Sequence, residues 1–156
     1  MNFQMSIQIN SDPAKTFATF TDFHNTAKNI RGIKHLEVLG DGPIGVGTQF
    51  RETRTMFGKD AVETMEITAF DPPRSYSVGC DSCGARFDTV FRFTPESGGT
   101  RVDIDMNTAA TSLFAKLMSP LMGWMMAGTM RKCFENDLAD LKAVAEGRPQ
   151  HEVQII

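Results

Sequence analysis

The sequence has only one tryptophan, one tyrosine and three cysteines among 156 residues, and no run of eighteen apolar residues. A small, odd number of cysteines excludes a secreted disulfide scaffold. Without a long apolar run there is no helix to insert stably into a membrane. Basic charge is not in excess either: 16 Lys and Arg stand against 19 Asp and Glu, a net charge of −3. The absence of an overall positive field to attract phosphates argues against a nucleic-acid partner and against a polybasic membrane anchor. The opening Met1-Asn2-Phe3-Gln4 lacks the basic-then-apolar layout of a secretory signal, so the cytoplasm is the expected location.

What the chain does have is ten methionines and twelve phenylalanines. Soft, polarizable Met and plain Phe suit an adaptable apolar interior with few polar handles. Folding at this length buries roughly 70% of the unfolded surface, enough for one domain with a core or an enclosed cavity.

Residues 3–9 alternate, with Phe3, Met5, Ile7 and Ile9 on one side, and predict a strand with one wet face. Ser11-Asp12-Pro13 supplies a cap and then a proline, which predicts a helix start, and Phe17, Phe20 and Phe23 follow at helical spacing. A second short helix or turn is expected over 24–30. Further strands are predicted over 33–39, 46–57, 59–70, 75–80, 85–94 and 100–110, with a long hairpin turning at Phe57-Gly58. In the last third, Ser119-Pro120 predicts a break between a short segment, 112–118, and a main helix, 120–146. On that helix Met122, Met126, Met130, Cys133, Phe134, Leu138, Leu141 and Ala145 form one broad stripe, and Leu121, Trp124 and Met125 fall opposite. The expectation is a single α+β domain over 1–146 and a loose tail over 147–156. Its fold is a seven-stranded antiparallel sheet curled around a long C-terminal helix, with two short helices after the first strand.

Three motifs compete for a functional role. Gly40-Asp41-Gly42-Pro43-Ile44-Gly45 matches G-x-G-x-x-G, but a strand pattern follows it, whereas a dinucleotide site needs a helix there. Cys80-Asp81-Ser82-Cys83-Gly84 could supply half a zinc site, yet His24, His35, His151 and Cys133 are scattered. It reads first as a turn with free thiols; a metal site shared between subunits or a reversible disulfide are its alternatives. No cofactor and no metal are expected. The hairpin carries the better constellation. Pairing across Phe57-Gly58 sets Phe50 opposite Met65, Glu52 opposite Glu63, and Arg54 opposite Ala61, all on the apolar face. Inward charges are costly unless paired or wetted, so Glu52, Arg54 and Glu63 form either an ion pair at the rim or the polar lining of a cavity. On neighbouring strands Phe87, Thr89, Phe91 and Phe93 share the inner side. Arg86, Asp88, Arg92, Arg101, Asp103 and Asp105 make a solvated ladder outside.

The order of elements resembles the START-like, or helix-grip, superfamily, and within it the polyketide cyclase/dehydrase group. The likeness extends to local wording. It is carried by Ser11-Asp12-Pro13 entering a Phe-rich helix, Thr21-Asp22-Phe23, Gly32-Ile33-Lys34, Glu37-Val38-Leu39, and Gly45 to Glu52. Asp71-Pro72-Pro73-Arg74, Phe91 to Pro95, Gly98 to Val102, and Asp137 to Lys142 complete it, so that it spans about residues 3–146. The resemblance implies a sheet curled around the last helix with an apolar cavity between them. In that family such cavities take lipids, sterols or polyketides, and some members cyclise or dehydrate them. The expectation is thus a carrier of a small hydrophobic molecule, lined by Phe50, Met65, Phe91, Phe93, Met122, Met126 and Met130, with Glu52, Arg54 and Glu63 as polar handles. Two alternatives stand beside it: a cyclase/dehydrase-type enzyme using Glu52 or Glu63 as base, and an interaction or chaperone-regulator module with Leu121, Trp124 and Met125 as a docking or dimer patch.

Overall fold

The structure, a computed structural model, describes residues 2–148; residues 115 and 118–126 are described by backbone alone. Strand β1 (Asn2–Ile9) is followed by helix α1 (Pro13–Phe20), a 3-10 turn (Phe23–Asn25) and the one-turn helix α2 (Thr26–Asn29). Then come β2 (Ile33–Leu39), β3 (Gln49–Met56), β4 (Lys59–Asp71), β5 (Ser75–Ser82), β6 (Ala85–Glu96), β7 (Gly99–Ala110) and helix α3 (Leu113–Ala145). Asp12 caps α1 by accepting from the Lys15 backbone N–H, and Pro13 fills the first helical position.

All seven strands form one antiparallel sheet in the order β1-β7-β6-β5-β4-β3-β2. Its concave face meets α1 and the second half of α3. There Ile9, Phe17, Phe20, Phe23, Phe50, Ile67, Tyr76, Phe93, Val102, Ile104 and Leu138 form the core. The aromatic rings pack edge to face and in stacks: Phe17 against Phe93 at 5.2 Å, Phe23 on Phe50 at 4.7 Å, Tyr76 on Phe91 at 4.6 Å. The outer face is the expected ladder, with Arg86 bridging Asp81 and Asp88, and Arg101 bridging Glu96 and Asp103.

Strands β5 and β6 run two residues past the predicted ends, to Ser82 and Glu96, and two larger differences stand beside them. Strand β3 starts at Gln49 rather than at 46, because Gly47 takes a φ of 88° and turns the chain before the ladder begins. Helix α3 is continuous through Ser119-Pro120, where the sequence predicts a break. Proline holds a helical φ and deletes one N–H donor, so a helix can pass through it at the loss of one hydrogen bond. At its far end α3 closes on Gly147, with φ 72°: the Gly147 N–H donates to Val144 O and the Arg148 N–H to Ala143 O. The predicted tail beyond residue 148 lies outside the described residues.

Candidate functional site

The hairpin of β3 and β4 has the register its sequence predicts: Phe50 pairs with Met65, Glu52 with Glu63, and Arg54 with Ala61. Phe57 (φ 53°) and Gly58 (φ 76°) make its two-residue tip, both in the left-handed region that such a tight turn requires. This register puts two carboxylates opposite each other on the concave face, which is repulsive unless each finds a partner. They find different ones. Arg54 Nε donates to Glu52, while Nη1 and Nη2 donate to the two oxygens of Asp137 on α3 at 3.0 and 2.6 Å. The three side chains are only 19%, 12% and 15% exposed. Burial pushes the Glu52 and Asp137 carboxyls above their ordinary range against the pull of Arg54. Burial also works against the Arg54 cation, yet its hydrogen bond to Asp137 and the two carboxylate charges outweigh it and hold the guanidinium above its usual value. The group is a clamp between sheet and helix.

Glu63 sits apart from that clamp. Its carboxylate accepts from Ser82 Oγ at 2.7 Å and from Cys80 Sγ at 3.7 Å, both on β5. Among the described residues no cation pairs with it. Burial, then the Glu63 charge and hydrogen bond, push the Cys80 thiol up to about 11, so it is a neutral donor at pH 7. A carboxylate with two neutral donors keeps acceptor capacity for a further hydroxyl or ammonium group.

The concave face is graded in burial. Across one row, Phe87 pairs with Cys80 and Cys80 with Met65; all three are half-buried, as is Glu63 beside them. One to three rows toward α1, Thr89, Ile67, Tyr76, Phe93 and Ile104 are buried. The half-buried rows lie toward the end of the sheet at which α3 begins. That helix begins beside the β5–β6 tip, where Thr111 and Ser112 N–H groups donate to Gly84 O, and ends near β1, where Lys142 Nζ donates to Gln8 O. The inner face is therefore filled at one end and accessible at the other.

The predicted lining residues divide accordingly. Met65 and Glu63 are on the accessible rows. Phe50 and Phe93 are 3% and 4% exposed and engaged with Phe23 and with Phe17 and Phe20; Phe91 is half-buried and stacked on Tyr76. Met130 is half-buried on α3, whereas the side chains of Met122 and Met126 lie outside the described residues. Glu52 and Arg54 belong to the clamp. Sequence reasoning missed Asp137, which lies within the apolar stripe of α3 by helical spacing, and Ser82 as a partner of Glu63; it read Cys80 as part of a turn and Phe87 as inward-facing without joining either to the site. Gly40–Gly45 leads into β3 and not into a helix, so it lacks the dinucleotide geometry. Cys80, Cys83 and Cys133 are free thiols, and among the described residues no group of three His, Cys, Asp or Glu is gathered to hold a metal. Two hollows of about 250 and 270 Å³ lie on the outer face, one along Gln4, Arg92 and Asp105, the other along Glu66, Asp81 and Arg86. Their walls are salt-bridged charges, unsuited to an apolar ligand.

The chain is similar to solved structures of this architecture. It superimposes on TTHA0849 from Thermus thermophilus with a TM-score of 0.73 at 20% identity, covering 93% of this chain and 97% of that one. Ara h 8.0201 aligns with a TM-score of 0.69 at 16% identity over 95% and 99% of the two chains. The di-domain ARO/CYC StfQ from the steffimycin biosynthetic pathway aligns with a TM-score of 0.77 at 14% identity, over 94% of this chain and 51% of that one. At these identities the likeness carries the helix-grip fold. No curated protein sequence matches the chain, and no helix among its described residues is long and apolar enough to cross a membrane. A family profile described as polyketide cyclase / dehydrase and lipid transport matches residues 1–146, and the chain therefore belongs to that family.

Proposed function

We propose that the protein binds a small, largely apolar molecule between the first half of α3 and the half-buried rows of the sheet, with Glu63 accepting a hydrogen bond from its polar end. The observation that carries this reading is the gradient of burial across one continuous concave face. Phe87, Cys80 and Met65, in the middle of the sheet, keep accessible surface, whereas Ile67, Tyr76, Phe93 and Ile104, nearer α1, are almost wholly buried. Apolar side chains left accessible there gain about 25 cal/mol for each Å² that a ligand covers. Membership of a family described as acting on polyketides and in lipid transport supports the same ligand class.

The test is a titration with the uncharged apolar dye Nile red. Saturable binding is expected for the parent and for Arg54→Lys, and its loss is expected in Met65→Trp, where the larger side chain occupies the proposed space. Equal affinity in Met65→Trp would overturn the assignment.

A cyclase- or dehydrase-type reaction is the second reading, favoured by Glu63 itself, a carboxylate facing the same space with no cation paired to it among the described residues. It would act as general base. Arg54, held by Glu52 and Asp137, would position the helix and not touch substrate. Turnover of a polyketide-like substrate that survives Glu63→Gln undiminished would sink this reading.

A further inference from the structure

The first turns of α3 expose apolar side chains that the rest of the fold does not cover. Leu113 is 87% exposed, Phe114 72% and Leu117 79%. Phe57, at the tip of the β3–β4 hairpin, is 74% exposed. The sheet register brings these to one end of the molecule. The hairpin tips at Phe57-Gly58 and Cys83-Gly84 point the same way, and the Thr111 and Ser112 N–H groups tie the start of α3 to Gly84 O. That end is also where the half-buried rows of the concave face lie.

The net charge of −3 is unevenly spread. From Met106 to Phe134 the sequence holds no Asp or Glu but three cations, Lys116, Arg131 and Lys132. Lys116 is exposed beside Leu117. Arg131 and Lys132 are exposed too, and about five turns along α3 they return to the helical sector of Leu113 and Phe114. Among the described residues none of the three has a carboxylate partner; Arg131 lies over the Phe3 ring. Of the acids near this end, Asp60 is engaged by Lys34 and Asp81 by Arg86, while Glu63 is turned to the inner face with Ser82 and Cys80.

We infer that this end of the molecule, the exposed start of α3 with the Phe57 hairpin tip, docks on the surface of an anionic lipid bilayer. The exposed apolar side chains enter the acyl boundary, and the cations, without an acidic partner among the described residues, meet lipid phosphates. The charge pattern selects the lipid surface over a second copy of the chain, since a two-fold contact would set Lys116 and Lys132 of both copies against like charges. Docking needs no spanning helix, and it turns the accessible rows of the sheet toward the membrane. The inference stands on surface exposure and charge and does not depend on the cavity being occupied.

The test is co-sedimentation of the full chain with vesicles of phosphatidylcholine alone and of phosphatidylcholine and phosphatidylserine in equal parts. Binding to the mixed vesicles is expected, with weak or no binding to the neutral ones. Phe114→Gln and Leu117→Gln should each weaken it about tenfold, as loss of one inserted side chain predicts. Lys116→Gln should weaken it about fivefold. All three positions are solvent-exposed, and unchanged thermal midpoints would show that the fold is retained. Absence of binding to mixed vesicles, equal binding to both kinds, or binding indifferent to Phe114→Gln and Leu117→Gln would each overturn the inference. So would a dimer in analytical ultracentrifugation that the same substitutions dissociate while vesicles capture nothing.

Discussion

Arg54 on β3 donates to both carboxylate oxygens of Asp137 on α3, at 3.0 and 2.6 Å, and so fixes the helix to the sheet across 83 residues of chain. A planar guanidinium suits this two-point grip, which an ammonium cannot reproduce. Arg54→Ala leaves Glu52 and Asp137 as two buried carboxylates without a cation, and it should destabilise the fold by about 3 kcal/mol. Urea unfolding at pH 7 would measure this. Arg54→Lys, which keeps the charge and loses the bidentate geometry, should recover part of the loss.

The same clamp gives a pH dependence with a definite sign. Burial raises the Glu52 carboxyl above its ordinary 4.5 despite Arg54. A group raised in the folded state contributes stability that is fully present below its unfolded value and is lost as pH rises through its folded value. Ionised Glu52 at pH 7 is therefore a cost, and Glu52→Gln, which resembles the protonated form, should be as stable as the parent or more so at pH 7. The advantage should shrink as pH falls and vanish below 4.5, where the parent's carboxyl is protonated too. Paired thermal midpoints for parent and variant across that range would check it; an advantage that grew on acidification would contradict the burial argument.

How much of this was readable from sequence follows from the range of each interaction. The β3–β4 register was legible because period-two alternation and the Phe57-Gly58 tip leave one pairing that keeps Phe50 and Met65 on the same face. The inward positions of Glu52, Arg54 and Glu63 follow from that register. Their partners do not. Asp137 is on a helix whose approach to the sheet is set by packing of the whole domain; the available signal was a carboxylate between Phe134, Leu138 and Leu141 on an otherwise apolar stripe. Asp140, 2% exposed, repeats the device one turn on, accepting from the Arg31 backbone N–H at 2.9 Å and from Arg31 Nη2 at 2.8 Å. The continuity of α3 was hidden for another reason: Ser-Pro has the chemistry of a helix start, and only the surrounding structure decides whether a helix already under way ends there. The gradient of burial across the inner face has no counterpart in the sequence, where Phe87 and Phe93 read as equivalent.

The thiols of Cys80 and Cys83 should differ in reactivity. Cys83 is exposed, whereas Cys80 is half-buried against Glu63, with its thiol pushed up to about 11. Relative to an ordinary thiol, that lowers the thiolate fraction near neutral pH about 100-fold. Iodoacetamide at pH 7.5 should label Cys83 well before Cys80, as read by mass spectrometry of the β5–β6 peptide. Glu63→Gln removes the repelling charge and should speed Cys80 labelling while leaving Cys83 unchanged. An apolar ligand seated over Met65 and Phe87 should slow Cys80 alone, which ties this measurement to the proposed binding space.

The hairpin tip offers a separation of stability from surface function. Phe57 holds a φ of 53° with its ring 74% exposed, an unfavourable backbone state for a bulky residue that gains nothing from burial. Asparagine tolerates that region, and Asn-Gly is the preferred pair for a two-residue hairpin of this kind. Phe57→Asn should therefore raise stability by about 0.5–1 kcal/mol, since it relieves left-handed strain of that order. The same substitution removes one of the exposed apolar groups proposed to meet the bilayer, and it should weaken co-sedimentation with phosphatidylserine-containing vesicles. A tip kept aromatic against its own backbone preference, at a measurable loss of stability, is what a contact made outside the folded chain would require. A Phe57→Asn protein that gained stability and still bound vesicles as the parent does would remove the hairpin tip from the docking surface and leave the start of α3 to carry it.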